Sequence, residues 1–127
     1  MDVLIRYGFS IEEIQNMMDT NILIHTISDK DIAKLLELLN QEGCSRNEIK
    51  NITITNPFYF NQSDESIIHL FSTLRKIGFH SLKYLIDMNP YLLNLKSEDI
   101  LSIYQEMKKK GVQDKEILDY IQYQYLV

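Results

Sequence analysis

The sequence predicts an all-α fold, an α-solenoid of about three and a half tandem helix pairs, and three observations predict it. Four glycines, Gly8, Gly43, Gly78 and Gly111, recur at spacings of 35, 35 and 33 residues. A large apolar residue stands four places before each (Leu4, Leu39, Leu74, Met107) and another directly after it (Phe9, Cys44, Phe79, Val112). Between glycines the apolar residues step by i, i+3, i+4 and are interrupted midway by an asparagine, followed twice by proline, which is the signature of two amphipathic helices per period. A lone helix pair cannot bury both of its apolar stripes, so successive pairs are expected to stack. The repeats are expected at about 4–38, 39–73 and 74–106, with a half repeat at 107–127, all in one domain of 1–127.

Each element follows from local chemistry. A glycine closing an apolar-periodic run reads as the left-handed residue that ends a helix, where a Cβ would be strained. Two places on, the slots hold Ser10, Ser45, His80 and Gln113, and the first two are followed three residues later by Glu13 and Glu48. Serine with glutamate at that spacing makes a capping box, so a helix starts there. Its inward face is expected at Ile14, Met17 and Met18, then Ile49, Ile52 and Thr53, then Leu82, Leu85 and Ile86, then Ile117, Tyr120 and Ile121. The third copy reaches this register two residues early, which predicts a shorter loop or first turn and accounts for the spacing of 33.

That first helix is expected to stop at Asn21, Asn56 and Asn89, the last two followed by Pro57 and Pro90, because proline disfavours a helical residue before it. The apolar stretches that follow, such as Phe58-Tyr59-Phe60, are too short for a partnered strand and read as a tight helical turn. Serines 28, 63 and 97 are expected to cap the second helix, with acids in its first turn, as the helix dipole favours. Its buried stripe runs Ile32, Leu35, Leu36, Leu39, then Ile67, Leu70, Phe71, Leu74, then Ile100, Ile103, Tyr104, Met107.

Composition bounds the function. Hydrophobic residues make up 45% and charged residues 24% of 127 residues, a folding composition rather than a disordered one. No run approaches the length of a transmembrane span, so no membrane partner is expected. The opening MDVLIRYGF, with Asp2 and Arg6, does not make a secretory signal, which predicts an intracellular chain, cytoplasmic in a bacterium or else nuclear or organellar. The formal charge is −5, and it is unevenly placed: residues 1–70 hold 5 basic and 11 acidic side chains, residues 71–127 hold 8 basic and 7 acidic.

The phrase leucine, three residues, glycine, apolar, serine, two residues, glutamate, then Asn-Pro and an apolar run, resembles the repeat of the mitochondrial transcription termination factor family. Leu39 to Glu48 with Asn56-Pro57, and Leu74 to Phe79 with Asn89 to Leu93, carry the match. The resemblance implies a right-handed superhelix of helix pairs, each pair joined by a short 3₁₀ turn. It also implies a non-enzymatic protein that binds double-stranded DNA or RNA through the backbone, with a role in transcription or its termination. Ile22 stands where the first proline is expected, and the chain is acidic overall.

Phosphate contact needs clustered lysine and arginine. Two places before each glycine stand Arg6, Gln41, Lys76 and Lys109, equivalent positions that stacking would align. Arg75, Lys108 and Lys110 flank this row, and Lys50 and Lys83 hold matching slots in the short helices. The candidate nucleic-acid-binding residues are therefore Arg6, Lys50, Arg75, Lys76, Lys83, Lys108 and Lys109. The competing account is that cations near helix C-termini simply complement the dipole. The alternative function is a protein-interaction scaffold, bound through its concave face or self-associating through its terminal helix, where Tyr123 and Tyr125 lie.

His25, His69 and His80 fall at different repeat phases and no two are spaced as metal ligands. Cys44 takes the slot of Phe9 and Phe79 and reads as a small buried hydrophobe. Those two phenylalanines, Phe71, Tyr104 and Tyr120 are expected in the core. No phosphate loop, dinucleotide fingerprint or nucleophile elbow is present, so no enzyme, cofactor or metal is expected.

Overall fold

The computed structural model describes residues 2–126. They form eight α-helices: α1 (Asp2–Tyr7), α2 (Ile11–Thr20), α3 (Asp29–Gln41), α4 (Arg46–Thr55), α5 (Asp64–Ile77), α6 (Leu82–Met88), α7 (Ser97–Lys109) and α8 (Asp114–Ile121). Three 3₁₀ turns, Ile22–Thr26, Pro57–Asn61 and Pro90–Asn94, follow the short helices α2, α4 and α6, and a π-helical turn, Gln122–Leu126, follows α8. There is no strand among the described residues. The chain divides into two compact units, Met1–Asp64 and Glu65–Val127.

All four glycines carry positive φ, at 115°, 95°, 126° and 83°. They end α1, α3, α5 and α7 with one and the same hydrogen-bond motif. The amide after the glycine donates to the carbonyl five residues back (Phe9 to Leu4, Cys44 to Leu39, Phe79 to Leu74, Val112 to Met107). The glycine amide donates three back (Gly8 to Ile5, Gly43 to Asn40, Gly78 to Arg75, Gly111 to Lys108). This double closure is the Schellman ending, which satisfies carbonyls that the helix leaves open and packs the following apolar residue on the last turn. Phe9, Cys44 and Phe79 are buried accordingly.

In the first unit α1 and α3, the helices that end at glycine, lie against each other, as do α2 and α4, and the first two 3₁₀ turns touch. Like packs on like, which is translational order. Three polar links fix it. Arg46, at the start of α4, donates to the Tyr7 carbonyl at 2.5 Å, with its guanidinium 4.5 Å from the Tyr7 ring centre. Lys50 pairs with Glu13 at 3.3 Å and sits 5.8 Å from the Phe9 ring centre. Buried Asn21 donates to the Pro57 carbonyl at 3.1 Å and to Asn61 Oδ1 at 2.9 Å, tying the first 3₁₀ turn to the second. Tyr59, fully buried, donates its hydroxyl to the Leu35 carbonyl at 2.6 Å. Thr53 fits its core slot because its hydroxyl donates to the Ile49 carbonyl at 2.8 Å.

In the second unit α7 packs on α8, α6 on the third 3₁₀ turn, and that turn on the π turn, whose Leu126 is fully buried. Helix α6 has 7 residues where α2 and α4 each have 10. The shortening lies in the helix rather than in the loop before it, since α6 starts four residues after Gly78 and α4 only three after Gly43.

Four expectations need correction. The expected α7 stripe is buried only at Ile100; Ile103, Tyr104 and Met107 are half-buried, and Tyr104 sends its hydroxyl out to the Asp114 carboxylate instead of into the core. The N-cap of α6 is Ser81, not His80, and it makes no side-chain cap bond; an imidazole has no oxygen to accept the first free amides. The N-cap of α7 is Lys96, not Ser97. Where caps are described, the cap follows the 3₁₀ turn by two residues (Thr26 to Ser28, Asn94 to Lys96), so Ser97 arrives one place late and is the first helical residue, buried instead of capping. Tyr120 is 43% exposed. The α8 stripe continues from Ile117 to Ile121, both fully buried, and Tyr120 turns out to meet Tyr125 edge-on at 6.3 Å.

Candidate nucleic-acid interface

The basic row of the sequence lies at the last helical positions before the glycine closures, where the backbone presents its negative dipole end. Arg6 is exposed in the last turn of α1, and Gln41 interrupts the row at the end of α3. Arg75 and Lys76 are exposed in the last turn of α5, Lys108 and Lys109 in the last turn of α7, and Lys83 on α6.

Lys50 and Lys108, both among the candidates, pair with carboxylates of the chain itself. Lys50 is half-buried in its pair with Glu13 over Phe9. That contact and the Ser10 amide hold the Glu13 carboxyl below its ordinary range, the backbone hydrogen bond from Ser10 being the larger cause. Lys108 pairs with Asp114 at 2.5 Å, and the Tyr104 hydroxyl donates to the same carboxylate at 3.1 Å. The hydrogen bond raises the Lys108 ammonium above its usual range and lowers Asp114 below its own. The Lys108–Asp114 contact is exposed and of small energetic weight, the Lys50–Glu13 contact is half-buried, and each spends a cation on a carboxylate.

The two units differ in charge. Residues 1–64 hold 5 basic and 10 acidic side chains, a net of −5, whereas residues 65–127 hold eight of each. A polyanion is repelled by the first and meets no net barrier at the second. Lys76 and Lys109 occupy the same place, two before Gly78 and Gly111, in helices that close identically.

Arg46 escaped the sequence reading. Its guanidinium is committed to the Tyr7 ring and carbonyl, and the signal was the aromatic residue preceding Gly8 with an arginine directly after the next serine cap. Asn21 was read as a stop alone, while its side chain is a buried connector. No group of three or more His, Cys, Asp or Glu among the described residues could hold a metal. No described helix is long and apolar enough to cross a membrane.

Eight helices with 3₁₀ turns, closed by four equivalent glycine endings, define an all-α helical-repeat protein. The mTERF family model matches residues 1–124, and the chain belongs to the mTERF family. No curated protein and no solved structure gave a match.

Proposed function

We propose that this chain is a non-enzymatic nucleic-acid-binding module that grips duplex DNA or RNA through its phosphates, in the service of transcription or its termination. The observation that carries this reading is the exposed cation repeated at the closing turns of α5 and α7, Lys76 and Lys109, with Arg75 beside the first. Lys83 adds a cation on the short helix of the same unit. Membership of the mTERF family supports it. Arg6 belongs to the acidic unit, and Lys50 and Lys108 face carboxylates, so these three contribute less.

Fluorescence anisotropy with labelled duplex DNA and duplex RNA at low and moderate salt tests the reading. Phosphate contact gives a log K that falls linearly with log salt, and each lysine that leaves the contact lowers the slope by about 1. The double variant Lys76→Glu, Lys109→Glu should therefore abolish binding while leaving the helical circular dichroism unchanged. Absence of binding by the wild-type chain at low salt, or equal binding by the variant, overturns it.

A further inference from the structure

Three large apolar side chains stand in solvent on one edge of the first unit: Ile22 is 69% exposed, Leu23 53% and Phe58 42%. Leu23 and Phe58 are equivalent, each two places after the asparagine that stops the short helix. A single side chain brings them together. Asn21 Oδ1 accepts from the Leu23 amide at 3.3 Å, and Asn21 Nδ2 donates to the carbonyl of Pro57, the residue before Phe58. The two 3₁₀ turns are thus locked rung on rung, which sets Leu23 and Phe58 at equivalent places on neighbouring rungs. Exposed apolar side chains set together in this way mark an interaction site.

Behind the patch runs a cleft of about 640 Å³ between the first 3₁₀ turn with the start of α3 and the second with the start of α5. Leu23 lines its edge, Leu35 and Phe60 its floor, and Asp31 and Asp64 stand on its walls. Lys34 also lines it and faces Asp64 at 4.0 Å. Ser28 accepts from the Asp31 amide, so the α3 amide end is capped by the chain itself. The cleft thus holds two carboxylates and one ammonium in a unit of net charge −5, and this charge selects the occupant: it repels nucleic acid and attracts cations.

We infer that this edge docks the apolar face of a basic protein segment, an amphipathic helix whose leucine-like side chains cover Leu23 and Phe58 while its lysines or arginines meet Asp31 and Asp64. The inference goes beyond the nucleic-acid reading and stands without it. Apolar contact in the centre supplies affinity, and the carboxylate rim supplies selection and encounter rate.

The full chain, ¹⁵N-labelled, would be titrated with a synthetic 18-residue amphipathic helix of leucine and lysine, and with the same peptide carrying glutamate for lysine. The expected result is binding of the lysine peptide at least about tenfold tighter than the glutamate peptide, with amide shifts centred on residues 19–27 and 55–62. The exposed double variant Leu23→Ser, Phe58→Ser should weaken that binding at least about tenfold with an unchanged spectrum elsewhere, and Lys76→Glu should leave it intact. Equal affinity for both peptides, shifts centred elsewhere, or an unaffected double variant overturns the inference. So does a concentration-dependent dimer, seen by sedimentation of the chain alone and lost in the double variant, which would make a second copy the occupant. No nucleic acid is present, so a failure here is distinct from a failure of the duplex assay.

Discussion

At the scale of single residues, the glycines offer the sharpest measurement. A Cβ at Gly8 or Gly111 would meet nothing within 4 Å, so alanine there carries the left-handed penalty alone, about 1 kcal/mol. A Cβ at Gly78 would fall 2.8 Å from Leu118 Cδ1. Gly78→Ala should then cost more than Gly111→Ala, by the shift Leu118 must make, and urea midpoints of the two variants check it. Tyr59 gives a second contrast. Burial pushes its phenol far above the usual range, and Tyr59→Phe removes the bond to the Leu35 carbonyl inside the core, an expected loss of about 1–2 kcal/mol. The glycines were legible in the sequence because backbone strain admits one residue type there; Tyr59 was not, since its slot alternates among Ile24, Tyr59 and Leu92 and only packing shows what its hydroxyl reaches.

At the scale of elements, caps separate true helix starts from apparent ones. Ser45 accepts from the Glu48 amide at 3.1 Å, while Ser97 is the first helical residue of α7 and not its cap. Ser45→Ala should cost about 1 kcal/mol; Ser97→Ala should cost clearly less, as thermal melts of the pair would show. The two serines look alike in the sequence, because the end of the 3₁₀ turn, and not the serine, sets where the helix begins. Asn21 carries the register of the first unit. Its replacement by alanine leaves the buried Pro57 carbonyl without that donor, with an expected loss of about 2 kcal/mol and faster hydrogen exchange in both 3₁₀ turns. The stops at Asn21, Asn56 and Asn89 were readable from the prolines, but a connecting amide is invisible until the rungs are stacked.

At the scale of the molecule, pH tests the polar links. Glu13 and Asp114 have depressed values in the fold, so each contributes stability that is complete above its unfolded value, near 4, and lost as pH falls through the folded one. Lys108 is raised, so its share is complete below its unfolded value and lost only as pH climbs past the folded one. Stability should therefore plateau from about pH 5 to 9. Lys50→Met should shrink the acid loss, since it removes one of the contacts that depress Glu13; denaturant midpoints between pH 2 and 7 read this out. The repeat architecture was legible because it rests on period and strain, which chain order records directly. The candidate interface was less so: spacing identified Lys76 and Lys109 but could not tell that Lys50 and Lys108 each face a carboxylate, a matter of side-chain reach across elements.

The four identical glycine closures also bear on how this chain tolerates change. Each one favours glycine chiefly for reasons internal to five residues, with Leu118 adding to the demand at Gly78. A saturation scan scored by folded yield would accordingly show four narrow troughs at 8, 43, 78 and 111, so that the spacing of the fold would reappear as a barcode of intolerance, readable without any structure at all.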